Sequence, residues 1–437
     1  VVLLLTRIVN GKVWLNGKIV QKDIIIEEDT IKELVRKSQH ANVDQVLDAE
    51  EALILPGLID SHTHLRDGLQ AYKEDFVSGT SAAVAGGFTL VMDMPNSIPP
   101  ISTPQRLMER ISLASQRILC DVGFHGMPTK LESISSLKKA GCIGYKIYTH
   151  RAFEGESFST KQRLLLLFEE VSKTNIPLSV HAEDPSLLTE LTGDYDAEDH
   201  ARAHPREAEN SMVNTVMEVA RMFPVKTRIC HVTTSESLQT ISRTKHYNSN
   251  VYSEVTPCHI TFDKSVYTSC CKICTVEPPF REHSDLVYLR NSLWSGEVDI
   301  IGTDHAPHSQ TEKASGRPPP GVPNLETAVP VLLTLAKKGY IPLSKTIEGL
   351  TAKPANFFIL EDRGSIEKGK KANLTFVKFV PQYEIDPARF YSKAKFSPFQ
   401  GFKAEAAVVR TIVRGETVYT REEGVLDIRK GEVIGRQ

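Results

Sequence analysis

Residues 56–64 read Pro56-Gly57-Leu58-Ile59-Asp60-Ser61-His62-Thr63-His64. A nearly continuous apolar run over residues 52–59 therefore leads straight into a His-x-His pair. A run of that kind suits a parallel strand buried on both faces. Side chains at i and i+2 of a strand point to the same face. At the carboxyl end of a barrel strand that face is the interior, and active sites of (β/α)8 barrels sit at that end.

Outward from this stretch, seven more apolar runs follow, at residues 88–94, 121–124, 142–148, 177–180, 227–232, 251–255 and 299–302. Segments of helical periodicity lie between them, such as 162–171 and 208–222. Eight βα repeats predict an α/β fold, a (β/α)8 TIM-type barrel over residues 56–361. The flanks have a different texture. Asn10-Gly11 and Asn16-Gly17 lie between apolar runs, the signal for hairpins, and residues 373–377 and 406–414 alternate. Residues 1–55 and 362–437 are thus expected to pair into one small β domain built from both chain termini.

The 437 residues are 41% hydrophobic and 24% charged, with a net charge of −2 and no long block of one sign. That balance argues against nucleic acid or an anionic membrane as a partner. The opening Val1-Val2-Leu3-Leu4-Leu5 is too short to span a bilayer and lacks the features of a signal peptide. The seven cysteines are odd in number and irregular in spacing, which leads us to expect a reduced, cytoplasmic protein. Cys271 and Cys274 form a lone C-x-x-C, without the second ligand pair that a zinc site would need.

Chemistry concentrates where the apolar runs end. His62 and His64 follow the first, Lys146 lies in the fourth, His181 closes the fifth, His231 ends within the sixth, and Asp304 follows the eighth. One buried histidine is more often a hydrogen-bonded core residue than a ligand. Repetition at the same end of successive strands favours a metal site. Imidazole and carboxylate suit zinc, and more than four ligands suggest two ions. An unmodified Lys146 ammonium would repel them, whereas a carbamate on its amine would bridge them. Two ions held close lower the pKa of a shared water and polarise a carbonyl oxygen. Asp304 would then move the proton to the leaving nitrogen, so the chemistry is amide hydrolysis or its reverse.

This constellation resembles the amidohydrolase superfamily over nearly the whole chain, including Gly364-Ser365-Ile366-Glu367-Lys368-Gly369 near its end. Further motifs are Leu65-Arg66, Lys73-Glu74-Asp75-Phe76, Asp93-Met94-Pro95-Asn96, Asp304-His305-Ala306-Pro307-His308 and Glu312-Lys313. Together they resemble dihydroorotases of the class that includes the domain in the animal pyrimidine-synthesis polyprotein. Arg317-Pro318-Pro319-Pro320-Gly321 before Leu325-Glu326-Thr327 resembles that domain in particular.

The resemblance implies reversible cyclisation of N-carbamoyl-L-aspartate to L-dihydroorotate in pyrimidine biosynthesis. It implies zinc as cofactor, two ions on His62, His64, Lys146, His181, His231 and Asp304, and N6-carboxylation of Lys146. It assigns Arg66, Asn96 and His308 to the substrate carboxylate, beside His64. A planar guanidinium fork suits that task. Backbone contacts are implied at Glu277, Pro320 and Gly321, although relatives often carry Asn at the first of these. Phe153 stands where a loop closes over substrate, with Ala152 in place of the threonine of the animal type. A third zinc on Cys230 and Glu254 is one reading and a plain core thiol at Cys230 the other. Two alternatives to the activity stay open: a hydantoinase or dihydropyrimidinase, and an inactive scaffold docking aspartate transcarbamoylase. Family members are often homodimers.

Overall fold

The computed structural model describes residues 4–37 and 42–435, apart from the side chain of Cys271. Eight strands run in parallel around the centre: β1 Leu58–Thr63, β2 Phe88–Asp93, β3 Asp121–Gly126, β4 Gly144–Tyr148, β5 Leu178–His181, β6 Thr227–Ile229, β7 Val251–Val255 and β8 Ile300–Ile301. Every residue of β1 to β5 is buried, which explains the absence of polar alternation in those runs. Helices cover the outside. Lys161–Ser172 starts where the Thr160 hydroxyl accepts from the Arg163 amide, and buries Leu164, Leu167, Phe168 and Val171 at helical spacing. Arg206–Ala220 packs beside it.

The barrel closes through β1 and the segment after β8. The His64 amide donates to the His305 carbonyl at 2.8 Å, and Thr63 bridges His305 in parallel. The fully buried Asp60 carboxylate reinforces this seam, accepting from the amides of His62 and Thr303 at 3.1 Å each and from the Thr303 hydroxyl. Burial pushes its pKa up to about 7, against those bonds.

The flanks form two further sheets. One orders Thr30–Val35, Asp23–Glu27, Leu5–Val9 and Gln45–Asp48; the other runs from Gly424–Val425 through Lys403–Val413 and Leu374–Glu384 to Leu53–Pro56, Lys12–Leu15 and Lys18–Val20. Ile8, Val13, Ile24, Ile54, Leu374 and Phe376 share their core. The apolar run over 52–59 is therefore two strands. Leu53–Pro56 pairs antiparallel with Leu374–Val377, and the barrel strand begins after Gly57. The Cβ of any other residue at Gly57 would lie 2.3 Å from the Thr89 hydroxyl oxygen. The chain end also departs from the small domain, because Val433–Ile434 pairs with β3.

Of the two Asn-Gly signals, Asn16-Gly17 makes the hairpin between Lys12–Leu15 and Lys18–Val20, with both residues at positive φ. Asn10-Gly11 instead passes the chain from one sheet to the other, since Leu5–Val9 and Lys12–Leu15 belong to different sheets. Gly11 packs against Ile54, which leaves no room for a side chain.

The expectation of wholly reduced cysteines is corrected. Cys270 and Cys274 form a disulfide across two short helical turns, with Cα atoms 5.5 Å apart, inside the range a bridge can span. The C-x-x-C pair thus does not act as a unit, because Cys274 is bonded to Cys270. Cys230 and Cys258 are buried free thiols. Among the described residues, no helix is long and apolar enough to cross a membrane.

Candidate metal centre

The barrel brings the sequence-predicted ligands to one end. His62 lies within β1 and His181 ends β5, while His231 and Asp304 follow β6 and β8 by a few residues. His231, Asp304 and Arg66 all have positive φ, at 36°, 49° and 56°. Such backbone costs on the order of 1–3 kcal/mol per residue and persists where packing over-determines it. Here it turns the side chains off the strand direction and into the barrel mouth.

His62 and His64 converge on Asp304. The His62 Nδ1–H donates to Glu254 Oε1 at 2.6 Å, and the His64 Nδ1–H donates to Asn96 Oδ1 at 2.7 Å. Burial lowers the pKa of both rings, so both are neutral near pH 7. With Nδ1 carrying the proton, each Nε2 presents a lone pair. Those lone pairs face Asp304 Oδ1 at 3.3 Å and 3.2 Å. Three acceptors facing one another without a proton between them repel. They become mutually compatible around a cation, whose ligands at about 2.1 Å stand roughly 3.4 Å apart in tetrahedral geometry. His62, His231 and Asp304 bring ligand atoms within 4.8 Å of one another.

The other candidate ligands border this group. The His181 ring lies 4.5 Å from that of His231, centroid to centroid. Its Nε2–H donates to Glu183 Oε2 at 2.6 Å, leaving Nδ1 with the lone pair. His231 Nδ1 is buried without a hydrogen-bond partner. Glu183 and Glu254 thus supply the carboxylates that fix tautomers in histidine–metal sites. Lys146 is fully buried in β4, and its Nζ donates to Cys230 Sγ at 3.0 Å. Among the described residues, no carboxylate lies within ion-pair distance of that ammonium.

Glu254, Cys230 and His62 also come within 4.8 Å of one another. Glu254 is already engaged, however. Its Oε2 lies 2.6 Å from the fully buried Arg228 guanidinium, and its Oε1 accepts from His62 and from the His231 amide. Arg228 completes the barrel floor by donating to Ser61 and Ser179.

Arg66 and His308 stand together beside the histidines. An Arg66 Nη lies 3.3 Å from His308 Nε2, and its Nε donates to the Pro307 carbonyl. Lys73 Nζ donates to His308 Nδ1 at 3.1 Å and pairs with Glu312 at 2.8 Å. That bond sets the tautomer, so the His308 Nε2–H donates to the Pro320 carbonyl at 3.0 Å. Burial, Arg66 and Lys73 together hold the His308 pKa well down.

Two loops meet here. The Gly321 amide donates to the Thr275 carbonyl at 2.9 Å. Lys313, whose pKa burial lowers to about 7, donates to the carbonyls of Thr275 and Pro319 at 3.0 Å and 2.9 Å. Gly321 has a φ of 131°, and a Cβ there would lie 2.6 Å from the Ala306 carbonyl oxygen and 3.2 Å from His308 Nε2. Gly321→Ala should therefore displace His308. We expect a loss of about 1–3 kcal/mol of stability and a raised KM, read by thermal melting and steady-state kinetics. Unchanged melting and KM would show that the loop yields freely.

Glu277 pairs through its side chain with His150 at 2.9 Å and with Arg151. Phe153 sits in a turn with reciprocal backbone bonds to Glu156, its ring 5.3 Å from Tyr148, which in turn lies 5.8 Å from His181. Sequence reasoning missed Glu183, although it stands two residues after His181, the spacing that shares a strand face. It also missed Asp60, Arg228, Lys313 and the histidines 150, 200 and 204.

A model of the amidohydrolase family matches residues 53–418. A dihydroorotase of Pediococcus pentosaceus is 31% identical over 425 residues, covering 94% of this chain and 98% of that protein. A dihydroorotase of Methanothermobacter thermautotrophicus is 32% identical over 399 residues, covering 90% and 88%. Among solved structures, L-hydantoinase (dihydropyrimidinase) from Arthrobacter aurescens superposes with a TM-score of 0.93 at 24% identity, covering 99% of each chain. Dihydropyrimidinase from Brevibacillus agri gives 0.91 at 23%, with the same coverage. At such identity these two speak for the fold alone, whereas the dihydroorotases match in sequence over 90–94% of this chain. The chain belongs to the amidohydrolase family, among its dihydroorotases.

Proposed function

We propose that this chain interconverts N-carbamoyl-L-aspartate and L-dihydroorotate, a step of pyrimidine biosynthesis, using two zinc ions. The observation that carries this reading is the pair of neutral imidazoles aiming Nε2 lone pairs at Asp304, beside the Arg66–His308 pair. His62, His64 and Asp304 would hold one ion and His181 and His231 the other, with Lys146 as a carboxylated bridge. The full burial of Lys146 with no carboxylate within ion-pair distance supports that modification, since a buried charge without a counter-charge is costly. Bound ions would polarise the scissile carbonyl and lower the pKa of the attacking water. Glu254 and Arg228 are best read as orienting His62 and neutralising each other, because a third ion at Cys230 would meet the guanidinium. Cys230 is then a core thiol.

Asp304 takes the proton from the attacking water and passes it to the departing ring nitrogen. Closure runs through the same atoms in reverse. Arg66 and His308 hold the substrate carboxylate, and Asn96 offers its amide N–H while its carbonyl orients His64. The main chain near Glu277, Pro320 and Gly321 lines the ring, and Phe153 covers it. Docking to aspartate transcarbamoylase completes the proposal, and a sizing column run with both proteins tests it.

Two outcomes follow. Arg66→Met should lower kcat/KM for L-dihydroorotate by about 10–100-fold, the loss of a charge-assisted pair, mostly through KM. An unaltered KM would remove Arg66 from carboxylate binding. Ring opening also creates a carboxylate and releases its proton. Above the range of that carboxylate, the equilibrium ratio of dihydroorotate to carbamoyl aspartate should fall about tenfold per pH unit. Chromatography of equilibrated mixtures reads this directly, and a ratio independent of pH would contradict the assigned reaction.

A further inference from the structure

A second histidine cluster lies beside the barrel mouth and has no part in the mechanism above. His200 and His204 stand four residues apart, at the end of the helix Ala197–Ala203, so their side chains share one face. Their rings lie 4.4 Å apart, centroid to centroid. Across from them is the Glu277 carboxylate, from the loop between β7 and β8. His200 Nε2 is 3.9 Å and His204 Nε2 3.8 Å from Glu277 Oε2.

The protons on this cluster follow the pattern of the barrel ligands. The His204 Nδ1–H donates to Glu183 Oε1 at 3.0 Å, which leaves Nε2 facing Glu277; against its burial, Glu183 and Glu277 raise the His204 pKa, so an ion there would take the place of a proton. His200 is 4% exposed, and its Nε2 is buried without a hydrogen-bond partner. A buried polar atom in that state calls for a ligand. Both separations exceed by a few tenths of an ångström the roughly 3.4 Å between ligands of a tetrahedral zinc ion. Glu277 Oε1 is already held by His150 Nε2 at 2.9 Å and by the Arg151 guanidinium, which leaves Oε2 for the ion.

We propose that His200, His204 and Glu277 form a separate site for a zinc-class divalent cation. Two imidazoles and one carboxylate make a ligand set with an open fourth position, and Glu183 serves as the carboxylate that orients His204. Glu183 also orients His181, so it ties this site to the barrel centre. An ion here would pin the Glu277 loop to the helix 197–203. The site does not depend on the activity assigned above, since none of its three ligands holds the barrel ions.

The test counts metal in the whole chain, reconstituted with zinc and bicarbonate and freed of excess. Elemental analysis should find one zinc fewer per chain in the His200→Ala/His204→Ala double variant than in the unaltered protein, and also in His200→Asn. The difference is expected whatever the absolute number at the barrel centre. Equal zinc content with unaltered melting would overturn the proposal. In the unmutated protein, anomalous diffraction at the zinc edge should show a peak between His200, His204 and Glu277. Flat density there in zinc-loaded crystals would overturn it even where a variant fails to fold.

Discussion

Asp304→Asn should lower kcat by about 10²–10⁴-fold in both directions, the range for losing a positioned acid–base group. The substitution keeps shape while removing the charge and the ability to take a proton. Asp304 is well suited to the task by its surroundings. Its Oδ1 faces both Nε2 atoms, of His62 and His64, at 3.3 Å and 3.2 Å. Kinetics with dihydroorotate and with carbamoyl aspartate should fall together, because one group serves both directions. A variant within tenfold of the unaltered enzyme would assign the proton transfer elsewhere.

Lys146→Ala should cost about 10³-fold or more. If Lys146 bridges two ions as proposed, removing it removes the geometry that would hold them, and metal stabilisation of a polarised carbonyl is worth several kcal/mol, each 1.4 kcal/mol being tenfold in rate. The cavity left in β4 is fully buried, so a small carboxylate such as propionate should enter it and restore part of the activity and of the zinc content. In the unaltered protein, labelled bicarbonate should give a carbamate carbon signal. Loss of zinc without rescue, and no such signal, would leave Lys146 as a packing residue beside Cys230.

The barrel and the histidines at its mouth were legible because each rests on a local pattern. A strand buried on both faces reads as a near-continuous apolar run, and β1 to β5 are buried throughout. A His-x-His at its end must share a face. The boundaries were less legible. Residues 52–59 carry one hydrophobic run but two strands, divided at Gly57 by its close approach to Thr89, a contact between elements that no local pattern encodes. Asn10-Gly11 has the composition of a hairpin turn, yet tertiary pairing sends its two sides into different sheets.

The partners of the ligands were hidden for the same reason. Glu254 reaches His62 across 192 residues of sequence, and Lys73 reaches His308 across 235. Only strand order brings them together. Glu183 was within reach of sequence reasoning, two residues from His181, but its second bond to His204 was not. The disulfide was not legible because the C-x-x-C spacing belongs to Cys271 and Cys274, whereas the turn geometry places Cys270 opposite Cys274.

The central claim is that Arg66, Asn96 and His308 make this site one for a ring bearing a carboxylate. The most direct measurement offers zinc- and bicarbonate-loaded protein L-dihydroorotate, dihydrouracil and allantoin in separate assays, following loss of each. The account predicts turnover of L-dihydroorotate alone. Turnover of dihydrouracil with equal or higher kcat/KM would contradict it, leaving the metal centre in place but assigning the site to neutral rings.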